Sequence, residues 1–236
     1  MPKFFEHNDD VYNFNAPREI VPLIIQLINP KSVLDIGCGI GTWLKIFEEN
    51  GVVDYLGVDS EFVEMQHLKI PNNHYLGHDL RKEFSLNRKF DLVVSLEVAE
   101  HLPESSADLF VKTLVSHGEA ILFSAAIPGQ GGQNHLNEQW PDYWKKKFSF
   151  HGYYFHDVLR PVIWGNENVD WWYRQNIFLL SKERPSMDAL PLVHPLCFRR
   201  QQQLHNSLTM SIMFGRNGVI EGFKIFLRSL RVKLLG

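Results

Sequence analysis

The sequence predicts an α/β fold, a mostly parallel sheet with helices on both faces, and three observations predict it. Strand-like runs alternate with helix-like segments through the first 180 residues. The two best strand candidates, SVLDI at 32–36 and FDLVVSL at 90–96, are nearly unbroken apolar runs, as strands buried on both faces must be. A glycine-rich turn at 37–41, GCGIG, joins the first of them to a helix.

Each element has its own warrant. Residues 17–29 (PREIVPLIIQLIN) predict a helix with an early proline. Residues 32–36 predict the first strand, and 41–50 a helix with Trp43, Leu44 and Phe47 on one face. Residues 54–59 (DYLGVD) and 73–78 predict the next two strands, and 90–96 the fourth and clearest. Pro103 introduces a helix over 104–117, and GEAILFSA at 118–125 follows as a fifth strand. A helix is expected at 140–148, then a closing pair of strands at 152–159 and 172–180. The stretch 182–196 carries Pro185, Pro191 and Pro195 and reads as a linker; 197–236 turns helical again. The expected division is 1–29 as an N-terminal lid and helix, 30–181 as the body, and 182–236 as linker and tail.

Composition narrows the function. With 236 residues, 44% hydrophobic and 22% charged, the chain has material for one sizeable core with an appendage. No apolar run approaches the ~18 residues of a membrane span, and the start, MPKFFEHNDD, lacks a secretory signal's apolar stretch. Only Cys38 and Cys197 occur, which excludes a disulfide framework and suits a reduced cytoplasmic setting. No Cys/His or Asp/His cluster has metal-ligand spacing, so no metal site is expected. Residues 1–180 hold 15 basic and 24 acidic residues, whereas 181–236 hold 9 and 3. An acidic body argues against a nucleic-acid substrate.

In VLDIGCGIGTWL (33–44) a buried strand ends in Asp35, and Gly37, Gly39 and Gly41 follow before a helix. Such a turn brings backbone close to a ligand, and the helix start offers free N–H groups. The pattern is G-x-G-x-G, one position short of the dinucleotide fingerprint, which disfavours a nicotinamide-dependent oxidoreductase. Asp59 closes the second strand, 18 residues after Gly41, where a carboxylate can accept two hydrogen bonds from ribose hydroxyls. Asp79 follows the third strand in GHDL.

Together, VLDIGCGIGTWL, GVDS, GHDL and FDLVVSLEVAEHLP resemble, in order and spacing, the motifs of class I S-adenosylmethionine-dependent methyltransferases. The resemblance spans roughly residues 30–180. It implies a Rossmann-like seven-stranded sheet, mostly parallel, with a reversed C-terminal hairpin supplied by 152–180. It also implies S-adenosylmethionine as cofactor. Asp35, Gly37, Gly39 and Gly41 would line its methionine end, Asp59 its ribose, and Asp79 and Leu80 its adenine. Leu96 and Glu97 would face it from the fourth strand, and Cys38, Trp43 and Ser60 complete the implied set.

The acceptor is expected beyond strands four and five, because parallel sheets bind ligands at the carboxyl ends of their strands. There lie EVAEHLP, with Glu97, Glu100 and His101, and AAIPGQGGQNHLNEQWPDYW. The second segment combines glycines with Gln133, His135, Asn137, Glu138, Trp140 and Tyr143, which suits a loop around a polar substrate. This loop, with WYRQN at 172–176, resembles a bacterial subgroup of these enzymes loosely associated with surface-glycan genes. Methylating an alcohol needs a base, and histidine is the best single candidate near neutral pH. His135 is therefore assigned as general base, Glu138 as its orienting partner and His101 as the second candidate. The alternative for His135 is a loop-stabilising hydrogen bond. Gln133, Asn137, Trp140, Tyr143, Trp164 and Arg174 are the expected substrate contacts.

Residues 4–18 are expected to lie over the cofactor as a lid, with Tyr12, Asn15 and Arg18 as its contacts, or to dock as a surface leader. In 220–236, Lys224, Arg228 and Arg231 oppose Phe223, Phe226, Leu227, Leu230 and Leu234, an amphipathic basic helix. It suits an anionic membrane at the inner face, packing on the body, or a homodimer interface. The expected function is methylation of a sugar or glycan hydroxyl. The alternatives are N- or O-methylation of another small metabolite, and a cofactor-binding module without turnover.

Overall fold

The computed structural model describes residues 13–185 and 192–213. The chain divides into two compact units, Met1–His194 and Pro195–Gly236. In the first, α1 (Asn15–Ile28), β1 (Ser32–Ile36), α2 (Thr42–Glu49), β2 (Asp54–Asp59) and β3 (Tyr75–Gly77) form the first half. The second half comprises β4 (Phe90–Leu96), α3 (Ala107–His117), β5 (Gly118–Ser124), α4 (Pro141–Ser149), β6 (Tyr154–His156), α5 (Arg160–Ile163), α6 (Trp171–Asn176) and β7 (Phe178–Ser181). Of the second unit, α7 (Pro195–Met213) is described. The basic amphipathic segment 220–236 lies outside the described residues, as does Tyr12. Among the described residues no helix is long and apolar enough to cross a membrane.

The seven strands form one sheet in the order β3-β2-β1-β4-β5-β7-β6. Strands β1 to β5 pair in parallel, and β7 runs antiparallel to both β5 and β6. This is the mostly parallel sheet with a reversed C-terminal pair that the family resemblance implies. The order reverses at β1, whose neighbours are β2 and β4, and the carboxyl ends of these three strands meet at that switch point.

Alternation along the central strands divides the core in two. Val33, Leu92 and Val94 join α1, α2 and α6 in one apolar cluster, while Leu34, Ile36 and Val93 join α3 and α4 in the other. Helix α1 turns Ala16, Ile20, Val21 and Ile24 inward at helical spacing. It ends where Asn29 takes a left-handed conformation (φ 50°) and donates its N–H to Ile25 O.

Two expectations are corrected. Residues 172–180 are not one strand: WWYRQN forms α6, and only Phe178–Ser181 pairs in the sheet. Aromatic residues favour strands locally, but packing overrides that preference, with Tyr173 set edge-on to Trp43 at 5.3 Å. The strand expected at 152–159 shrinks to Tyr154–His156, and Arg160–Ile163 becomes a helical turn. The buried Arg160 guanidinium donates to Asp157 Oδ1 (2.8 Å) and to Gln175 O, tying this turn to α6.

Candidate active site

Two constellations lie at the carboxyl ends of the central strands. The first is the glycine turn after β1. Gly37, Gly39 and Gly41 have φ of 90°, 55° and 83°, conformations that cost other residues energy. A Cβ on Gly37 would sit 2.2 Å from Val98 Cγ2, and one on Gly41 would meet Ile70 Cγ1 at 2.8 Å. The turn is held from β2: Asp59 accepts from Gly39 N (2.7 Å) and from Ser60 N (2.6 Å). Gly37 N donates to Val58 O at 2.7 Å.

Asp35 lies at the floor of this turn, 2% exposed, and its Oδ2 has no hydrogen-bond partner. Burial, and then the Asp59 charge, push its carboxyl well above the ordinary range. An orphaned acceptor beside a second carboxylate suits a ligand that brings positive charge and N–H donors. An S-adenosylmethionine molecule brings an ammonium group, a sulfonium and ribose hydroxyls, so the residues fit it.

The second constellation gathers three separated segments. Glu97 follows β4 with φ 53°, a left-handed conformation strained for a non-glycine residue. Its N–H donates to Ser124 Oγ (3.0 Å) and Ser124 O (3.1 Å) at the end of β5. Its carboxylate accepts from Gln130 Nε2 (2.7 Å) and Asn176 Nδ2 (3.2 Å), and Asn176 also donates to Gln130 Oε1 at 2.8 Å. Burial raises the Glu97 carboxyl, and these donors and His135 partly offset the rise. Glu100 is fully buried, and neither carboxylate oxygen has a hydrogen-bond partner of good geometry. Burial, then the neighbouring Glu97, push its carboxyl far up.

The loop after β5 is stapled onto Glu100: Leu136 N and Asn137 N both donate to its backbone carbonyl, at 2.7 and 3.0 Å. That places His135 edge-on to His101, ring centroids 4.8 Å apart. Left-handed backbone at Gly129, Gly131 and Asn134 shapes the loop. The ring of His135 crowds the backbone at Gly132, where a Cβ would lie 2.2 Å from Nε2. Glu138 closes the loop, accepting from Gly129 N (2.7 Å) and Gly131 N (2.8 Å), with His135 Nδ1 2.8 Å from its Oε1. Burial and the His135 charge lower His101 to about 4, against hydrogen bonds to the backbone of Asn134 and Gln133.

The three expected catalytic residues His101, His135 and Glu138 thus come together, and Glu100 joins them. One oxygen of Glu100 and one ring nitrogen each of His101 and His135 lie within 4.8 Å of one another. This corrects the expectation that the chain lacks clustered metal-ligand types. The spacing argument missed the cluster because 33 residues lie between His101 and His135 and only the fold closes that gap.

Other expected residues play different parts. Cys38 and Trp43 are buried; the Cys38 Sγ lies against Gly57, where a Cβ would meet it at 2.6 Å, so its side chain points into the sheet. Leu96 is buried at the end of β4, and Leu80 packs against the second core. Ser60 accepts from the Tyr75 hydroxyl through its backbone carbonyl (2.7 Å). Asp79 follows β3, whose Gly77 is in register with Asp59, but its carboxylate is gripped by Arg81 Nε and Nη2 at 2.8 and 2.9 Å. Tyr143 packs on Trp144 beneath Lys147, and Trp164 packs on His194. Arg174 is buried near Asp170, whose carboxyl it helps to hold down against burial. Asn137 is buried and accepts from Gln139, whereas Gln133 and Trp140 are exposed. Of the lid contacts, Asn15 and Arg18 are exposed, and Arg18 lies over the Phe14 ring. Gln130 and Asn176 join the site unexpectedly, and their signal in the sequence is the unusual PGQGG and WYRQN runs; Ser124, at the end of the fifth strand, carries no such signal.

Fold and site define a class of protein: a class I S-adenosylmethionine-dependent methyltransferase. The chain belongs to the methyltransferase domain family, whose model matches residues 7–174. Among solved structures it resembles the sugar N-methyltransferase KedS8 from a Streptoalloteichus species (TM-score 0.59, 14% identity, 78% of this chain and 96% of that one). It also resembles CalS10, an amino pentose methyltransferase from Micromonospora echinaspora (TM-score 0.56, 14% identity, 78% and 99%). A third likeness is the methyltransferase domain of bacterial CtHen1 (TM-score 0.54, 16% identity, 73% and 100%). No curated protein matches the chain by sequence.

Proposed function

We propose that this methyltransferase transfers a methyl group to a hydroxyl of a small, sugar-containing acceptor. The observation that carries the reading is the proton-accepting cluster of Glu100, His101, His135 and Glu138 beyond β4 and β5. An amine attacks a methyl donor through its own lone pair once neutral, whereas a hydroxyl needs its proton drawn off. Bound S-adenosylmethionine supplies an electrophilic methyl on a sulfonium. The residues of this chain do the rest. Asp59, Asp35 and the glycine turn hold the donor, and the imidazole–carboxylate cluster makes the acceptor oxygen nucleophilic.

Support for a sugar-type acceptor is chemical. The exposed Gln133 and Trp140 border the cluster in sequence, one offering hydrogen bonds and the other an aromatic face for a ring-shaped polyol. A sugar N-methyltransferase and an amino pentose methyltransferase among the structural neighbours make amine transfer the reading to beat.

The test is incubation with S-adenosylmethionine and paired acceptors, nucleotide-linked sugars with and without an amino group, read by mass spectrometry. A methyl ether on a hydroxyl is the expected product. Methylation confined to amino sugars would overturn the reading. Loss of Glu138, which sets the tautomer of His135, is expected to lower kcat about 10- to 100-fold with the KM for S-adenosylmethionine unchanged.

A further inference from the structure

We propose that Glu100, His101 and His135 hold a divalent first-row transition cation, which makes this a metal-dependent methyltransferase. The inference rests on the functional reading above and deepens it.

Geometry comes first. The three ligand atoms lie within 4.8 Å of one another. Around an ion with bonds of about 2.1 Å, ligand atoms sit roughly 3.0–4.2 Å apart, so movements under about 1 Å close the site. One carboxylate with two imidazoles is a donor set for manganese, iron, cobalt, nickel or zinc rather than calcium or magnesium.

A second, independent observation is the state of Glu100. It is fully buried, neither carboxylate oxygen has a hydrogen-bond partner of good geometry, the backbone N–H groups of Ala126 and Glu100 only partly offset its burial, and no lysine or arginine forms an ion pair with it among the described residues. A buried carboxyl with no well-aligned donor and no cationic partner is costly and calls for compensation. A cation against His101 and His135 supplies it.

The surroundings agree. Glu138 at His135 Nδ1 is the carboxylate–histidine arrangement that fixes the tautomer and orientation of a metal-binding imidazole. Glu97 adds negative charge beside the ion and is itself held by Gln130 and Asn176. Three protein ligands leave positions open for the acceptor. A hydroxyl oxygen there becomes more acidic, and its proton passes to solvent. In the ion-loaded enzyme the cation, rather than a free imidazole of His135, activates the hydroxyl.

The experiment is titration of chelator-treated, dialysed full-length protein with Co²⁺, Mn²⁺ and Zn²⁺, read by calorimetry and, for Co²⁺, by visible absorption. One ion per chain is expected, with cobalt ligand-field bands. Glu100→Gln and His101→Asn are each expected to weaken binding more than about 100-fold while S-adenosylmethionine affinity stays. Retained cofactor binding shows that a variant has folded; if one variant does not fold, the other carries the test. No ion above background, or equal binding in wild type and folded variants, overturns the proposal. If the ion binds but no methyl ether forms on any sugar, the metal site stands and the acceptor reading falls. If sugar hydroxyls are methylated equally with and without chelator and no ion binds, the acceptor reading stands and the metal site falls.

Discussion

The two halves of the site are built in opposite ways. The cofactor side is local: Asp35 to Gly41 is one turn, and Asp59, on the adjacent strand, ties Gly39 into shape. The acceptor side is assembled from three distant segments, with Glu97 to His101 after β4, Gln130 to Glu138 after β5, and Asn176 at the end of α6. The cofactor turn spends glycines to obtain shape, whereas the acceptor side spends buried polar groups to obtain charge. The two touch where Gly37 lies against Val98. A binding turn can therefore be recognised by spacing, whereas a cluster for proton or cation chemistry is recognised only after folding.

The contact between the halves is the most sensitive point. Gly37→Ala puts a methyl into Val98 at a left-handed φ and is expected to cost about 2–5 kcal/mol. Both S-adenosylmethionine binding and methyl transfer should collapse, measured by denaturant unfolding, calorimetry and turnover. Retention of either would mean that the turn and the β4 loop are not coupled.

Asp59→Ala tests the cofactor side alone. It removes the acceptor for Gly39 N and an assigned ribose contact, each charge-assisted bond contributing roughly 1.5–3 kcal/mol. A 10- to 100-fold loss of S-adenosylmethionine affinity is expected by calorimetry, and unchanged affinity would undo the assignment. Asn176→Ala tests the acceptor side alone, since it strips donors from Glu97 and Gln130. Leaving these buried groups short of partners should cost about 1–3 kcal/mol and lower kcat, with little effect on cofactor affinity.

The smallest effect sharpens the cofactor edge. The Asp79 carboxyl lies at about 2, held down chiefly by its hydrogen bond to Arg81. A depressed carboxylate contributes stability that is full above its unfolded value near 4 and is lost as pH falls through about 2. Exposure limits the pair to ~1 kcal/mol or less. Arg81→Ala should flatten stability against pH in that acid window, measured by thermal unfolding at stepped pH. It should also release Asp79; tighter S-adenosylmethionine binding would show that the ion pair competes with the adenine.

Much of the fold was legible because its signals are local. Nearly unbroken apolar runs at 32–36 and 90–96 gave β1 and β4 with their observed bounds, and 54–59 gave β2. Alternation with helices gave the parallel sheet. Residues 171–176 misled because their aromatic composition is strand-like while packing against Trp43 makes them helical. His101, His135 and Glu138 were legible as acid–base types in the right loops, but their grouping with Glu100 was not.

The sequence by itself determined the parallel sheet and the glycine turn with Asp35 and Asp59, while the reversal of the final pair came only through the family resemblance. Periodicity, glycine placement and strand-end carboxylates act over a few residues and survive in one dimension. Only the tertiary structure decided that Glu100 is buried without a hydrogen bond of good geometry, that His135 meets His101, and that Asn176 reaches back to Glu97. Those facts depend on how β4, β5 and α6 are placed in space. Burial and electrostatic coupling are properties of that placement, and no spacing along the chain encodes them.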